Sequence, residues 1–399
     1  MAKNFVGFGF GPIQAALFAK LAAASGRFDA ITVGDVDGVL VEALQRHGGN
    51  YAVNVAYPDG IKVETVRGVR LLNLTKAEEA AQFREALGRA TEIATSLPSV
   101  AFYANGGRTS SCAALLREAL QQCENAPCIV YTAENNNHAA EILETAVNDV
   151  GAHLCVRPVQ YLNTVIGKMS QVIADPDEIA RRALAPMVPG FPRAFLVESF
   201  NRILISRITL PGFTPGITAF EEKDDLLPFE EAKLFGHNAI HAVMGFLCKD
   251  AGLATLSALR DAPALFDVAR KAFLEEVGVA LVRKYAATRD PLFTPHGMTA
   301  YANDLLERMT NPHLADSADR AVRDPLRKLA ANDRLFGAMR LCLAHDVTPR
   351  ALAFAARAAL RTLALGIEDV DATLAALWGD TLPPDERRRI AALLSASKG

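Results

Sequence analysis

Cys-x-x-Cys pairs, a long apolar run and an excess of either charge are all missing from this sequence, and each absence removes a class of function. The six cysteines (Cys112, Cys123, Cys128, Cys155, Cys248 and Cys342) form no Cys-x-x-Cys pair and stand beside no cluster of histidines. Structural zinc is therefore not expected, no metal is assigned, and free, mostly buried thiols are the expectation. No 18-residue apolar run occurs, and Met1-Ala2-Lys3-Asn4 leads straight into an apolar strand without a basic region or a cleavable apolar stretch. That pattern predicts a cytoplasmic protein with no membrane partner. Lys and Arg number 42 against 45 Asp and Glu, a formal net charge of −3, so no basic face awaits a nucleic acid. No fixed-period repeat or low-complexity tract is present.

What is there is ample apolar material: 50% of the 399 residues are hydrophobic, more than one ordinary core accommodates, so two domains are expected. The first third alternates strand-like and helix-like runs: Asn4–Phe8, Ile13–Ala24, Ala30–Gly34 and Val39–Arg46. Further strands are expected at Val69–Leu74, Glu92–Leu97, Cys128–Thr132, His153–Asn163 and Ala194–Glu198, with helices at Lys76–Arg89, Ser110–Cys123 and Ala139–Val150. This order predicts a parallel sheet. Beyond about residue 200, amphipathic stretches at Phe229–Lys249, Leu265–Lys284, Met298–Met309, Leu326–Ala344, Pro349–Ala364 and Asp385–Ser395 predict a helical region. The Pro-rich stretch Ala185–Pro192 is the candidate linker. The expected architecture is α/β plus α: an N-terminal Rossmann doubly wound sheet over residues 1–192 and an all-helical substrate and catalytic domain over 193–399.

Glycines at Gly7, Gly9 and Gly11 close the first strand, where a tight turn and a helix N-terminus can approach a pyrophosphate. In a G-x-G-x-x-G frame begun at Gly7, the third glycine is replaced by Pro12 and Gly11 falls one residue early. Phe10 and Ile13 complete the loop. Asp35 ends the second apolar run, where a carboxylate accepts from both ribose hydroxyls and repels a 2′-phosphate, so NAD is the expected cofactor. Asp37 competes for that role. Thr95 and Ser96, at a later strand end, are where the nicotinamide-side phosphate and ribose would pass.

The segment Glu230-Glu231-Ala232-Lys233-Leu234-Phe235-Gly236-His237-Asn238-Ala239-Ile240-His241 carries the chemistry. At about 100° per residue, Lys233, Asn238 and His241 fall at roughly 0°, 140° and 80°, within reach of one cleft. Oxidation of a secondary alcohol needs a base for the hydroxyl proton and donors for the developing alkoxide. Lysine serves as base when desolvation or neighbouring cations lower its pKa. Spacing alone fits a solvated ion-pair face better, since such pairs are common on exposed helices, and a lone histidine is ordinarily a core or capping residue.

Together with Asn311-Pro312-His313-Leu314, Arg323-Asp324-Pro325-Leu326-Arg327-Lys328-Leu329 and Asp333-Arg334-Leu335, these segments resemble the polyol-specific long-chain dehydrogenases, nearest to the mannitol-1-phosphate 5-dehydrogenase branch. The resemblance runs from residue 1 to about residue 345. It implies metal-independent catalysis with Lys233 as general base, Asn238 and Asn163 on the alkoxide, His241 orienting substrate and Glu230 relaying the proton. It also implies Asn135 near the nicotinamide ribose, and Arg320 and Lys328 as a substrate-contacting basic pair. The family has Asp-Arg where this chain has Gly167-Lys168. Arg207 falls near a position that separates free-polyol from phosphate-using members, and a cation there suits a phosphate.

The resulting expectation is an NAD-dependent oxidoreductase acting on a secondary CH–OH group of a sugar alcohol or sugar phosphate, as a monomer or homodimer. The rivals are an unphosphorylated polyol or a hexuronate as substrate, and an NAD(H)-sensing protein without turnover, to which Pro12 and Gly167-Lys168 point.

Overall fold

A computed structural model describes residues 3–121, 127–148 and 157–397. The described strands are β1 (Asn4–Phe8), β2 (Ala30–Asp35), β3 (Tyr51–Tyr57), β4 (Gly60–Val66), β5 (Val69–Asn73), β6 (Glu92–Thr95), β7 (Cys128–Thr132), β8 (Val159–Ile166), β9 (Ser170–Ile173), β10 (Ala194–Glu198), β11 (Ile203–Ser206) and β12 (Phe220–Lys223). The main sheet runs β12-β11-β8-β7-β6-β1-β2-β5. From β5 to β8 every neighbouring pair is parallel. This is the doubly wound order, and its direction reverses between β1 and β6, where the carboxyl ends of the strands open a crevice. Alternation along β1 explains the two covered faces: Phe5 packs into one core with Ala15, Leu17 and Phe18, while Val6 and Phe8 pack into the other with Phe83 and Leu116.

The chain divides into compact units at Met1–Leu227 and Pro228–Gly399, which corrects the expected boundary at residue 192. The reason is pairing: β11 runs antiparallel to β8, and β12 parallel to β11, so residues up to 223 extend the first unit's sheet. The Pro-rich stretch is no linker, because Asn54 Nδ2 donates to the Ala185 carbonyl (2.8 Å) and Ala52 N to that of Met187 (2.8 Å). A hairpin, β3 and β4, went unexpected. It joins β10 and β9 in a second sheet of order β4-β3-β10-β9. Cys123 and Cys155 lie outside the described residues; Cys112, Cys128, Cys248 and Cys342 are buried.

The second unit is helical. Its central helix, Ala239–Asp250, buries residues on every side, the mark of a core helix rather than a surface one. Helices Arg334–Ala344 and Arg350–Thr362 and the short turn Ala318–Ala321 pack against it. Gly245 permits the last of these contacts, since a Cβ there would come within 2.6 Å of Ala321 Cβ. The expected helix Leu326–Ala344 is broken: Pro325–Lys328 is one turn, and Asp333 caps a new helix by accepting from Arg334 N (2.6 Å). Helix Val370–Trp378 was not expected. Among the described residues no helix is long and apolar enough to cross a membrane.

Candidate active site

The glycine loop takes a different frame from the one expected. β1 ends at Phe8 and Gly9 has φ +78°, so the tight turn is at Gly9 and the motif reads Gly9-x-Gly11-x-x-Gln14. A Cβ on Gly11 would meet nothing within 4 Å, which leaves the backbone open to a close-approaching pyrophosphate. Pro12 opens the helix that follows, where its missing N–H costs nothing. Gln14 occupies the third-glycine position, wholly buried, and a Cβ on Gly7 would overlap its carboxamide. The glycine needed for close helix–strand packing has thus moved from helix to strand. Phe10 contributes main chain only: its ring is buried against Tyr51 (5.0 Å between centroids), and its N–H donates to Asp35 Oδ2 (2.5 Å). Ile13 is partly exposed in the first helical turn.

Asp35 ends β2 beside this loop, and its Oδ1 accepts from Asp37 N (2.7 Å). Each carboxylate oxygen keeps a further lone pair for a ribose hydroxyl. Asp37 is committed elsewhere, capping the helix Gly38–Arg46 through Leu40 N (3.1 Å) and pairing with Arg193 (2.7 Å). Val36 and Val39, exposed at 70% and 72%, offer an apolar ledge suited to a flat base.

At the other side of the crevice the important residue is Glu134, which sequence reasoning passed over in favour of the exposed Asn135. Glu134 is buried and accepts from Thr95 Oγ1 (2.8 Å), Leu97 N (2.8 Å) and the Tyr103 hydroxyl. Burial raises its carboxyl above the ordinary value against those hydrogen bonds. Thr95 is accordingly a buried anchor, while Ser96 stays partly exposed. An acid two residues past an apolar strand was the available signal.

Two other expected site residues, Asn163 and Arg207, and Lys168 of the Gly167-Lys168 departure all have partners within the first unit. Asn163 accepts from Ala140 N (2.9 Å) and donates to Glu141 (2.9 Å), tying β8 to the helix Ala139–Asn148. Lys168, buried, donates to the Glu198 and Phe200 carbonyls (2.5 and 2.8 Å) and fastens the turn after β10. Arg207 is more than half exposed and pairs with Asp224 (2.8 Å).

In the second unit the lysine segment is not a uniform α-helix. Residues Ala232–Asn238 form a π-turn between Leu227–Glu231 and Ala239–Asp250. Bonding from i to i+5 stacks residues five apart, so Lys233 and Asn238 share a face that a 100° wheel pulls apart, and His241 follows one α-turn later. Gly337 brings the helix Arg334–Ala344 onto this turn: its Cβ would stand 2.9 Å from the Phe235 ring. Burial, together with the charge of Arg334, brings the Lys233 amine down to about 8 against the opposing pull of Glu230, which is itself buried. His237 is held well below the ordinary imidazole value by burial and by the charges of Arg308, His241 and Lys233.

His241 Nε2 lies 2.6 Å from Asp316 Oδ2, and Arg320 Nη1 donates to both oxygens of the same carboxylate at 2.7 Å. Burial would raise the Asp316 carboxyl, yet the His241 and Arg320 bonds outweigh it and bring it to about 2. The Gly245–Ala321 approach, one turn along the helix from His241, makes this contact possible. Lys328 is buried and donates to the carbonyls of Ala321 (2.9 Å) and Arg323; burial and the charges of Arg334 and Arg327 lower it to about 8. A cavity of about 170 Å³ is lined by Asn238, His241, Arg320, Arg323, Asp324, Arg327, Lys328 and Arg334. Arg323, Arg327 and Arg334 were not expected at a site.

Comparison with known proteins places this arrangement in context. Residues 225–364 match the family model described as the mannitol dehydrogenase C-terminal domain. The fold is similar to that of a D-sorbitol dehydrogenase in substrate-free form, at 15% identity and a TM-score of 0.76, covering 99% of this chain and 92% of that one. It is also similar to the Pseudomonas fluorescens mannitol 2-dehydrogenase solved with NAD and D-mannitol, at 14% identity and a TM-score of 0.69, covering 100% and 91%. The expected fold class, a Rossmann sheet followed by a helical unit, is the one observed.

Proposed function

We propose that this protein is an NAD-dependent oxidoreductase that interconverts a polyol phosphate and the corresponding ketose phosphate, with mannitol 1-phosphate and fructose 6-phosphate as the expected pair. The observation that carries the reading is the single face formed by Lys233, Asn238 and His241, with Asn238 and His241 bordering a cavity rich in cations. The match of residues 225–364 to a mannitol dehydrogenase domain supports it, as does a fold shared with an enzyme solved with NAD and D-mannitol.

Gly9, Gly11, Ile13 and Asp35 are the residues that would hold the dinucleotide, with Ser96 and Asn135 along its nicotinamide half. NAD, when bound, supplies the acceptor for the carbinol hydride. Lys233, in its neutral form, takes the hydroxyl proton. Asn238 donates its carboxamide to the developing alkoxide. His241, its Nε2 held by Asp316, keeps Nδ1 for a substrate hydroxyl, and Glu230 passes the proton onward from Lys233. Asn163 and Lys168 are left as structural ties, and the anion-binding part expected of Arg207 passes to the cavity.

A carboxylate would also suit that cavity, so reduction of a hexuronate is the second reading. Pro12 and Lys168, the departures that suggested a sensor without turnover, both have structural employment. The test is reduction of fructose 6-phosphate, fructose and a hexuronate with NADH and NADPH, followed by absorbance. Preference for fructose defeats the phosphate reading, and preference for NADPH defeats the cofactor assignment.

A further inference from the structure

We propose that Arg323, Arg327 and Arg334 form a phosphate dianion site and are the specificity-determining residues of the substrate cavity; the identity of the sugar attached to that phosphate rests on the function proposed above. The local backbone presents the first two. Asp324 has φ +53°, the left-handed region that residues other than glycine seldom adopt, and Pro325 then starts the one-turn helix Pro325–Lys328. This reversal lets Arg323 and Arg327, on either side of it, line the same cavity. Lys328 lies beneath, its amine donating to the carbonyls of Ala321 and Arg323. A lysine so employed props the turn and is a positioning residue.

Charge and unmet hydrogen bonding then point to a dianion. Four arginines and one lysine line the cavity against one carboxylate, Asp324, whose contact with Arg327 is loose at 3.9 Å. Asp316 is already taken by His241 and Arg320. Among the described residues Arg323 has no carboxylate within ion-pair distance; Arg334 meets Asp333 loosely, its Nε at 3.8 Å, and its buried Nη1 has no hydrogen-bond partner. A buried guanidinium nitrogen without an acceptor is costly, and an incoming oxygen removes that cost. A carboxylate brings two oxygens and one charge. A phosphate brings three oxygens and nearly two charges, which suits three forked guanidinium groups better. At about 170 Å³ the cavity admits such a group rather than a whole sugar phosphate, so it is a subsite.

The test uses the full chain and two readouts. Binding of inorganic phosphate is measured by ³¹P line broadening for the wild type and for Arg323→Gln with Arg327→Gln. The double variant is expected to bind phosphate roughly ten- to a hundredfold more weakly, the loss typical of charge-assisted hydrogen bonds. Its preference for fructose 6-phosphate over fructose is expected to fall by a similar factor, mainly through KM. Both arginines are exposed, so its thermal midpoint should match the wild type, and Arg327→Lys should recover part of the affinity. Equal phosphate binding by wild type and double variant, or preference for a hexuronate, overturns the proposal. If phosphate binding is lost in the variant while the wild type reduces no sugar, the anion site stands and the oxidoreductase reading falls.

Discussion

At the scale of single residues, the decisive quantity is how much of Lys233 is neutral. With its amine at about 8, roughly a tenth is free base at pH 7; at the ordinary 10.5 the fraction is about three in ten thousand. Burial, with the Arg334 guanidinium, therefore yields a few hundred times more base. Because the neutral form accepts the proton, alcohol oxidation should rise with pH through about 8 and level off above it. Ketone reduction needs the protonated form and should fall over the same range, so opposite pH profiles of kcat/KM are the expected result. Lys233→Ala should bind NADH normally and lose about 10²–10⁴-fold in kcat, the usual contribution of a general base. Spacing brought Lys233, Asn238 and His241 within reach of one cleft, but it was the resemblance to the polyol dehydrogenases, not the spacing, that set them apart from a surface ion-pair face. Asp316, Arg323 and Arg334 were not legible in the sequence, because what recruits them is the close approach of distant helices at Gly245 and Gly337.

At the scale of elements, a small backbone departure decides where side chains point. The π-turn Ala232–Asn238 puts Lys233 and Asn238 on one face, and no propensity in Ala-Lys-Leu-Phe-Gly-His-Asn announces it. By contrast, the hairpin β3–β4 carried a readable signal, Tyr57-Pro58-Asp59-Gly60 between apolar runs, that was missed. The frame of the glycine loop was also misread, because a motif gives spacing but not where the strand ends. Its corrected form makes a prediction: Gly7→Ala alone should lower stability by about 1–3 kcal/mol through overpacking against Gln14. Adding Gln14→Ala should recover most of that loss, and thermal midpoints of the single and double variants measure both.

At the scale of the whole molecule, a formal charge of −3 means that little long-range field guides an anion to the cavity. The attraction is local to the arginine cluster and open to salt. Raising ionic strength from 0.1 M to 1 M shortens the screening length from about 10 Å to about 3 Å. KM for fructose 6-phosphate should climb several-fold over that range while that for fructose changes little. The parallel sheet was legible from alternating strand-like and helix-like runs, and the helical second unit from amphipathic periodicity over long stretches. The boundary was not, because β11 and β12 are four-residue strands whose membership is settled only by pairing.

The exchange of glycine between positions 7 and 14 also bears on inheritance. The shared space between strand and helix constrains the two positions jointly, so they should vary as a pair among descendants of a common ancestor. A lineage with glycine at 14 is released to carry a side chain at 7, and one with a long amide at 14 is held to glycine at 7. Pattern searches that demand the third glycine will pass over such lineages, while a search that scores the pair will recover them.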